Sequence, residues 1–497
     1  MMFKKILVAN RGEIALRIMR TCREMGIATV AVYSEVDERA LHALEADEAV
    51  PIGPAEPAAS YLNIDRIIAA ARDTGAEAIH SGYGFLAENA VFAERCQAEG
   101  IVFIGPPARV IRDLGDKVVA RRIMQKGGVP VIPGMTEEAG DPGAWSAQAE
   151  AVGYPLLIKA AAGGGGKGMR IVEKAGDLVQ ACQEASREAA AAFGSGAIYM
   201  EKFLARSRHV EVQILADTRG NVIHLFEREC SIQRRHQKII EETPSPALTP
   251  ALRAAMGEAA VTAARAAGYV NAGTVEFILD PEGRFYFLEV NTRLQVEHPI
   301  TEMTTGVDLV RHQIEIAAGR PLTLSQADLA ARGHAIECRI YAEDPEQNFF
   351  PSPGKIVFLQ EPSGPGVRND CGVCSGFEVP VEYDPILSKL VVHAETRDQA
   401  IGRMIRALES YAVLGVKTSI GFLIDVLASR PFADGETTTD FIPTHFADWK
   451  PGADRGDLAA IAAAADALAP RARAAFNGAA AEAAHSGPFQ TLGHWRL

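Results

Sequence analysis

The sequence lacks the features that mark membrane-spanning, secreted and nucleic-acid-binding proteins. No apolar run approaches the roughly 20 residues that a membrane helix needs. The first residues, FKKILVANRGE, contain neither a signal-peptide core nor an arginine-rich transit segment. The 7 Cys form no disulfide framework, which is typical of a reducing cytoplasm. The net charge of −13 argues against nucleic acid as a partner. We therefore expect a cytoplasmic protein that binds neither membranes nor nucleic acid.

Three familiar site motifs are also missing. The N-terminal region has no GxGxxG run, so a dinucleotide site is not expected there. The glycine-rich segment further along the chain does not match the Walker A pattern GxxxxGK[ST]. Cys371 and Cys374 form a CxxC pair without a second pair or His ligands, which favours two ordinary thiols over a zinc site.

The chain of 497 residues is long enough for about three domains, and its 48% hydrophobic content can form large cores. Strand and helix patterns alternate over the first 106 residues, from KKILVAN to IVFIGP, and predict a Rossmann-like parallel sheet with helices on its faces. Further strands are expected at 154–159, 198–203, 209–215 and 222–227, and a more β-rich region begins near Gly333.

Residues 287 to 302, FLEVNTRLQVEHPITE, carry the strongest site signal. With the strand period of two, one face is almost wholly apolar and the other is polar. The polar face gathers carboxylate, amide and guanidinium groups in a small area, although a solvated strand face has the same pattern. Its members are Glu289, Asn291, Arg293, Gln295 and Glu297.

The preceding strand, GTVEFILD, sharpens this signal. If Glu282 and Gly283 form a two-residue turn, Glu276 lies directly opposite Glu289. Like charges that face each other across a ladder destabilise it, and a divalent cation between them removes that cost. Oxygen ligands without a His or Cys cluster favour magnesium or manganese. We therefore expect a metal between these two carboxylates, with Asn291 alongside.

Two other segments suit an anionic ligand. The run AAAGGGGKGMRIV lies between two predicted strands, with Lys159 before it, and its backbone could fold over phosphates, although a flexible linker is the alternative. The run ERECSIQRRHQKIIEE is rich in Arg and Lys. A solvated basic helix, a nucleic-acid contact and an anion site facing the acidic hairpin are its three interpretations.

Six runs, in their order along the chain, resemble biotin carboxylase, the ATP-grasp enzyme or subunit of biotin-dependent carboxylases. They are ILVANRGEIALRI, HSGYGFLAEN, GGGGKGMRIV, CSIQRRHQKIIEE, FLEVNTRLQVEHPITE and NFFPSPGKI. The resemblance covers residues 3 to about 445. It implies an α/β and α+β multidomain protein: a Rossmann-like N-terminal domain (1–115), an ATP-grasp domain (116–334) with a lid at about 131–203, and a β-rich C-terminal domain (335–446).

The resemblance also implies roles for individual residues. Glu276 and Glu289 would hold magnesium, Glu297 would be the general base for bicarbonate, and Arg339 would stabilise the biotin enolate. Bicarbonate would be held by Lys238, Arg293, Gln295 and Val296. ATP would be bound by Lys117, Lys159, Gly163, Gly164, Gly165, Gly166, Gly168, Glu201, Lys202, His209, Gln233 and His236. For Arg339, a surface salt bridge is the alternative.

The sequence departs from the family in several places, and some of these departures concern the expected partner proteins. Ser81 stands where the family usually has Pro. No AMKM-type biotin-attachment motif and no carboxyltransferase region occur, so we expect a separate biotin carboxyl carrier protein and a separate carboxyltransferase subunit. The region from EVPVEYD to MIRAL looks more like acyl-CoA carboxylase subunits than pyruvate carboxylase. The Ala-rich tail, residues 447–497, is interpreted as a subunit-docking segment, and the family implies a homodimer.

The expected activity is therefore ATP- and bicarbonate-dependent carboxylation of biotin through carboxyphosphate, for an acyl-CoA carboxylase. The same half-reaction serving pyruvate or another 2-oxo acid is the alternative, because the acceptor binds a different subunit. An ATP-grasp ligase joining a carboxylate to an amine, and a non-catalytic protein that only binds ATP, are two further interpretations. The joint presence of Glu297, Lys238 and Arg339 speaks against both.

Overall fold

The computed structural model describes residues 2–135, 145–160, 169–235 and 237–452. The described residues up to Trp449 belong to one unit. The predicted glycine-rich loop, His236 and nearly all of the predicted docking tail lie outside the described residues. None of the described helices has the length and apolar character that crossing a membrane requires.

The N-terminal region is the predicted parallel sheet, with strand order β3-β2-β1-β4-β5. One strand, β3, was not predicted, because the run EAVPIG contains Pro51 and has no clear alternation. Pro is tolerated there because β3 is an edge strand. The elements are β1 (Lys5–Val8), α1 (Gly12–Glu24), β2 (Ala28–Ser34), α2 (Leu41–Glu45), β3 (Glu48–Gly53), α3 (Ile64–Thr74), β4 (Ala78–His80), α4 (Ala90–Ala98) and β5 (Val102–Phe103).

Helices and a small antiparallel sheet of order β7-β6-β8 follow. Apolar side chains from α7, α8 and this sheet form a core of their own. The elements are α5 (Ala108–Gly115), α6 (Lys117–Lys126), α7 (Trp145–Val152), β6 (Leu156–Ala160), β7 (Arg170–Val172), α8 (Leu178–Phe193) and β8 (Ile198–Lys202).

The centre of the fold is an antiparallel sheet of eight strands, in the order β13-β12-β9-β10-β11-β14-β21-β19. The sheet continues across the predicted boundary near Gly333, because β14 pairs with β11. The elements that precede this boundary are β9 (Arg208–Ala216), β10 (Val222–Arg234), β11 (Gln237–Thr243), α9 (Pro250–Ala267), β12 (Asn271–Leu279), β13 (Phe285–Asn291), α10 (His298–Thr305) and α11 (Leu309–Ala317).

The remaining elements complete this sheet and add short strand pairs around it. Predicted helix 396–410 is present as α12. The elements are β14 (His334–Tyr341), β15 (Glu343–Asp344), β16 (Phe350–Pro351), β17 (Gly354–Lys355), β18 (Phe358–Gln360), β19 (Val367–Cys371), β20 (Glu378–Val379), β21 (Ile386–Ala394), α12 (Arg397–Glu409), β22 (Ala412–Leu414), α13 (Ile420–Ala428), α14 (Arg430–Ala433) and α15 (Phe441–His445).

The two faces of the eight-stranded sheet differ in chemistry. One face is apolar and packs against α9 at one end and against α12 and α13 at the other. On the other face, glutamates and cations meet across neighbouring strands, and α10 packs over β10, β11, β14 and β21. Apolar residues of α1 and α11 join the sheet to the N-terminal region. The polar face is therefore enclosed by α10 and the N-terminal region, where it forms the candidate site.

Candidate active site

A cavity of about 750 Å³ lies between the polar face of the sheet and the N-terminal region. Most of the lining residues from the sheet and from the loop after β13 are those that the sequence singled out. Asn10, Arg11 and Tyr83 line it from the N-terminal side. Its predicted site residues are His209, Lys238, Glu276, Glu289, Asn291, Arg293, Gln295, Val296 and Arg339.

The hairpin of β12 and β13 places Glu276 directly opposite Glu289, as predicted. The turn and the strand register that produce this pairing differ from the prediction. The turn is wider than two residues, since the backbone N–H of Asp280 bonds to the carbonyl of Arg284. An irregularity follows between Glu276 and Phe277, where Leu288 has no partner in the ladder. This bulge restores the predicted register at the site.

The Glu276–Glu289 pair suits a divalent cation. Burial raises the pKa of Glu289 and the Glu276 carboxylate raises it further, while Lys117 and Lys159 act in the opposite direction. No described residue donates a hydrogen bond to the Glu289 carboxylate. Two facing carboxylates with spare oxygens match the ligands that magnesium prefers.

Two neighbours of Glu276 modify the metal prediction. One histidine lies beside the pair, since His209 Nε2 is 2.8 Å from Glu276 Oε2. The distance between His209 and the hairpin in sequence hid this contact. Asn291 donates its amide N–H to Glu276 and accepts a hydrogen bond from Arg293. The amide oxygen of Asn291 keeps a second lone pair with which it could bind a metal.

Lys238 connects three carboxylates. Its ammonium group lies 2.6 Å from Glu211, 3.0 Å from Glu276 and 2.7 Å from Glu297. Burial alone would lower the pKa of Lys238, but these carboxylates raise it well above its usual value. Lys238 is therefore a permanent cation between the predicted metal pair and the predicted base.

Glu297 is fully buried between two cations at the start of α10. One carboxylate oxygen accepts a hydrogen bond from Lys238 and the other accepts one from Arg339 at 2.9 Å. Burial acts to raise the pKa of Glu297, but Lys238, Arg339 and Arg228 hold it well below its usual value. The helix N-terminus favours the same charge. Glu297 is therefore ionised and able to accept a proton.

The loop from β13 to α10 brings the predicted bicarbonate residues to the cavity. Arg293 donates hydrogen bonds to Glu88 at 2.9 Å and to Gln295 at 3.1 Å. Gln295 in turn donates to Glu276 at 3.3 Å, and Val296 lines the same cavity. The geometry thus gathers a guanidinium, an amide and the Lys238 ammonium beside Glu297, as an anion site requires.

Some of the predicted nucleotide-binding residues are described by the structure, and the others lie outside the described residues. Lys117 and Lys159 lie near Glu289, on the metal side, and Lys159 also pairs with Glu201. Lys202 donates to backbone carbonyl oxygens before β6, including that of Gly153 at 3.2 Å. Gln233 donates to Nδ1 of His209 at 2.8 Å. His236 and the glycines from Gly163 to Gly168 lie outside the described residues, so their roles stay predictions.

The basic run 227–242 is not a solvated helix. It forms the end of β10 and nearly all of β11, two antiparallel strands joined at Arg235. Its Arg228 is fully buried and donates hydrogen bonds to Glu211, Gln213, Thr274 and Thr301. Of the three interpretations, the arrangement supports an anion site facing the acidic hairpin.

Several site residues were not predicted from the sequence. Glu211 bonds to both Lys238 and Arg228, Glu88 holds Arg293, and Glu241 accepts a hydrogen bond from Arg339 at 2.6 Å. The alternation of HVEVQIL could have indicated Glu211, because it places this carboxylate among buried residues. Neither Glu88 nor Glu241 carries a comparable local signal.

Three family models match successive parts of the chain. The model described as biotin carboxylase, N-terminal domain, matches residues 2–111, and the one described as biotin carboxylase C-terminal domain matches residues 337–444. Between them, residues 116–325 match the ATP binding domain of carbamoyl-phosphate synthase L chain. Biotin carboxylase 2 of Bacillus subtilis is 53% identical over 444 residues, which are 89% of this chain and 100% of that protein.

The chain belongs to the biotin carboxylase family. It is an ATP-dependent ligase, the biotin carboxylase component of a biotin-dependent carboxylase. The predicted fold class is confirmed: an N-terminal parallel-sheet domain, a central ATP-grasp domain and a sheet-rich C-terminal domain. The domain limits given in the sequence analysis, and the roles of single residues, stay predictions.

Other similar proteins are subunits of different carboxylases. A pyruvate carboxylase subunit of Methanothermobacter thermautotrophicus is 55% identical over 441 residues, covering 89% of this chain and 90% of that protein. The alpha subunit of mitochondrial methylcrotonoyl-CoA carboxylase from Rattus norvegicus is 50% identical over 448 residues, covering 90% of this chain and 63% of that protein.

A solved structure with a similar fold contains relevant ligands. The biotin carboxylase domain dimer of Hydrogenobacter thermophilus 2-oxoglutarate carboxylase, in complex with MgADP, ADP and bicarbonate, has a TM-score of 0.87 and 49% identity. The alignment covers 90% of this chain and 98% of that one.

Proposed function

We propose that this biotin carboxylase uses ATP and bicarbonate to carboxylate biotin on a separate carrier protein, through carboxyphosphate, with Glu297 as the general base. The contact that carries the proposal is the position of Glu297 between Lys238 and Arg339, which both line the cavity. A carboxylate at hydrogen-bond distance from a bound bicarbonate could remove its proton. The two cations would hold the anion and the charge that develops on it.

The lowered pKa of Glu297 needs an explanation, because a carboxylate with such a low pKa is a weak base. Its pKa is lowered by Lys238 and Arg339, both of which donate hydrogen bonds to it. An entering bicarbonate carries negative charge and competes for the same donors. As the two cations turn to the substrate, the pKa of Glu297 rises, and proton transfer becomes favourable where bicarbonate is bound.

The proposed reaction begins when Glu297 takes the bicarbonate proton. The freed oxygen attacks the γ-phosphorus of ATP, and ADP leaves. Carboxyphosphate then separates into CO₂ and phosphate, and the phosphate takes the N–H proton of the biotin ureido group. The ureido nitrogen attacks CO₂ while Arg339 stabilises the negative oxygen of the enolate. Magnesium, held by Glu276 and Glu289, would supply charge neutralisation on the ATP phosphates.

ATP hydrolysis, measured as ADP formation, tests this function. We expect turnover to depend on bicarbonate and to rise when free biotin is added. A turnover that ignores both substrates would contradict the proposal. It would then favour the ligase that joins a carboxylate to an amine, which needs neither bicarbonate nor an Arg such as Arg339 beside its base.

For the acceptor, we propose an acyl-CoA, because residues 378–408 look more like acyl-CoA carboxylase subunits. The 55% identity to a pyruvate carboxylase subunit favours the 2-oxo acid alternative. Purifying the holoenzyme and measuring labelled bicarbonate fixation with acetyl-CoA, propionyl-CoA and pyruvate separates the two. Fixation into pyruvate alone would overturn the acyl-CoA proposal.

The proposed partners are a biotin carboxyl carrier protein, a separate carboxyltransferase and a second copy of this chain. The dimeric state of the Hydrogenobacter domain supports the last of these, and light scattering of the purified chain tests it. Deleting residues 450–497, most of the predicted docking segment, is expected to abolish holoenzyme assembly while sparing free-biotin carboxylation. Unchanged assembly would contradict the docking role.

A further inference from the structure

Behind the site, a second pair of glutamates faces each other across the same sheet. Glu241 on β11 is directly opposite Glu337 on β14 in the antiparallel register, and both side chains are fully buried. Unlike Glu276 and Glu289, neither of them lines the cavity. Two ionised carboxylates buried opposite each other at this position would repel each other strongly.

The hydrogen bonds of this pair are incomplete. One oxygen of Glu241 accepts a hydrogen bond from Arg339, but its second oxygen has no partner among the described residues. Neither oxygen of Glu337 has a partner in the described part of the chain. The positive groups nearby are Lys238, Arg339 and Lys389, of which the last two face each other on β14 and β21. Arg339 is shared with Glu297, and Lys389 pairs with Glu13 at 3.0 Å.

The pair therefore has no cation of its own, because each nearby cation also pairs with another carboxylate. Burial raises the pKa of both carboxyls. The pKa of Glu241 rises to about 7, and that of Glu337, raised further by the Glu241 charge, lies well above its usual value. The contact with Arg339 favours the charge on Glu241. A proton on Glu337 would supply the donor that the second oxygen of Glu241 lacks.

We infer that Glu241 and Glu337 hold one proton between them, with the charge on Glu241, and that this pair is the positioning device for Arg339. Glu241 fixes the guanidinium from behind, and the proton on Glu337 keeps Glu241 in place. The remaining guanidinium donors are then directed at Glu297 and the cavity. The consequence for catalysis rests on the proposed function, because it assumes that Arg339 stabilises the biotin enolate.

The protonation state can be tested without any assay of activity. At roughly pH 8.5, a carboxyl with a pKa of about 7 is ionised, whereas the proton on Glu337 remains. The infrared spectrum of the wild-type protein minus that of Glu337→Gln should show the carbonyl stretch of a protonated carboxylic acid. Glu229→Gln is the matched control, because Glu229 is equally buried in the same sheet, has a pKa of about 7 and bonds to Ser245 instead of Arg339. A missing band in the Glu337 difference spectrum would overturn the inference.

Kinetics test the positioning role. Glu241→Gln should lower kcat/KM for free biotin at least about tenfold. ATP cleavage with bicarbonate alone should fall by a smaller factor, because Lys238 still holds Glu297. Glu337→Gln keeps a donor and no charge, so it should stay within about threefold of wild type in both assays. Glu337→Met, similar in size but without a donor, should reproduce the Glu241→Gln loss.

Two kinetic results would contradict the inference. One is an equal loss of both reactions in Glu241→Gln, and the other is full activity of Glu337→Met. If Glu337→Met does not fold, the inference is still tested by the infrared band and by the comparison of Glu241→Gln with Glu337→Gln. A wild-type protein without bicarbonate-dependent turnover would refute the proposed function and leave the infrared result standing.

Discussion

The two glutamate pairs of the central sheet have the same cross-strand geometry but different surroundings. Glu276 and Glu289 line a cavity of about 750 Å³ that ions can enter. Glu241 and Glu337 belong to the part of the sheet that α10 covers, and neither side chain has any exposed surface. Access to solvent thus decides how the repulsion is relieved: the open pair can recruit a cation and the sealed pair must keep a proton.

Glu297 links the two pairs. It bonds to Lys238, which also contacts Glu276, and to Arg339, which also contacts Glu241. The predicted base is therefore held from one side through the predicted metal pair and from the other through the pair that we infer to hold a proton. This arrangement explains how ATP activation and biotin activation could share one carboxylate.

The largest effect is expected from substituting Glu297, the residue that connects the two pairs. Glu297→Gln keeps the shape of the side chain but cannot accept the bicarbonate proton, so bicarbonate-dependent turnover should fall by about 100-fold or more. Steady-state ADP formation measures this. Glu229→Gln, a buried substitution in the same sheet whose side chain bonds to Ser245 and does not line the cavity, should keep wild-type turnover. A turnover in Glu297→Gln close to that of wild type would assign the base to another group.

A second, smaller effect separates the two pairs directly. Glu276→Gln and Glu289→Gln should each weaken binding of Mn²⁺ with ADP by roughly tenfold or more, because each removes a charged oxygen ligand. Electron paramagnetic resonance of free Mn²⁺ measures the affinity. Glu337→Gln is the control and should bind Mn²⁺ as wild type does. An equal loss in all three variants would mean that the open and sealed pairs do not differ in metal binding.

The smallest effect concerns stability in the absence of metal. The folded-state pKa of Glu276 is lowered by Lys238 and His209 against the effect of burial, so its contribution to stability is present above pH 4.5 and is lost as the pH falls. The pKa of Glu289 is raised, so its contribution is lost as the pH rises.

Because the two carboxyls contribute to stability with opposite signs, the stability of their Gln variants at roughly pH 8, with a metal chelator present, tests the charge assignment. Glu289→Gln should raise the free energy of unfolding by about 1 kcal/mol, and Glu276→Gln should lower it by at least as much. Chemical denaturation measures both. At roughly pH 4, where Glu289 is largely protonated in both states, its variant should lose the advantage. Equal signs for the two variants would contradict the charge assignment.

The sequence predicts much of the fold, because the alternation of apolar residues directly indicates strands and their buried faces. It also predicts that Glu276 faces Glu289, since a hairpin is a local structure whose register follows from its turn. The predicted turn is too short, and the bulge at Leu288 compensates for the error. The compensation arises from packing, which the local sequence does not encode.

The contacts that the sequence does not predict depend on strands far apart in the chain. Glu241 and Glu337 meet because β11 pairs with β14, and His209 reaches Glu276 because β9 pairs with β12. Neither pairing has a turn to fix its register. The role of Arg339 is implied by family resemblance, but its contact with Glu241 is visible only in the folded sheet.

The central claim, that Glu297 is the base for biotin carboxylation, is tested most directly by the transfer of ¹⁴C from bicarbonate to free biotin. Wild type and Glu297→Gln are compared side by side in the presence of ATP and magnesium. We predict labelled carboxybiotin from wild type, formed together with ADP, and about 100-fold less from the variant. Label transfer by Glu297→Gln at the wild-type rate, or ADP formation by wild type without any labelled biotin, would contradict this claim.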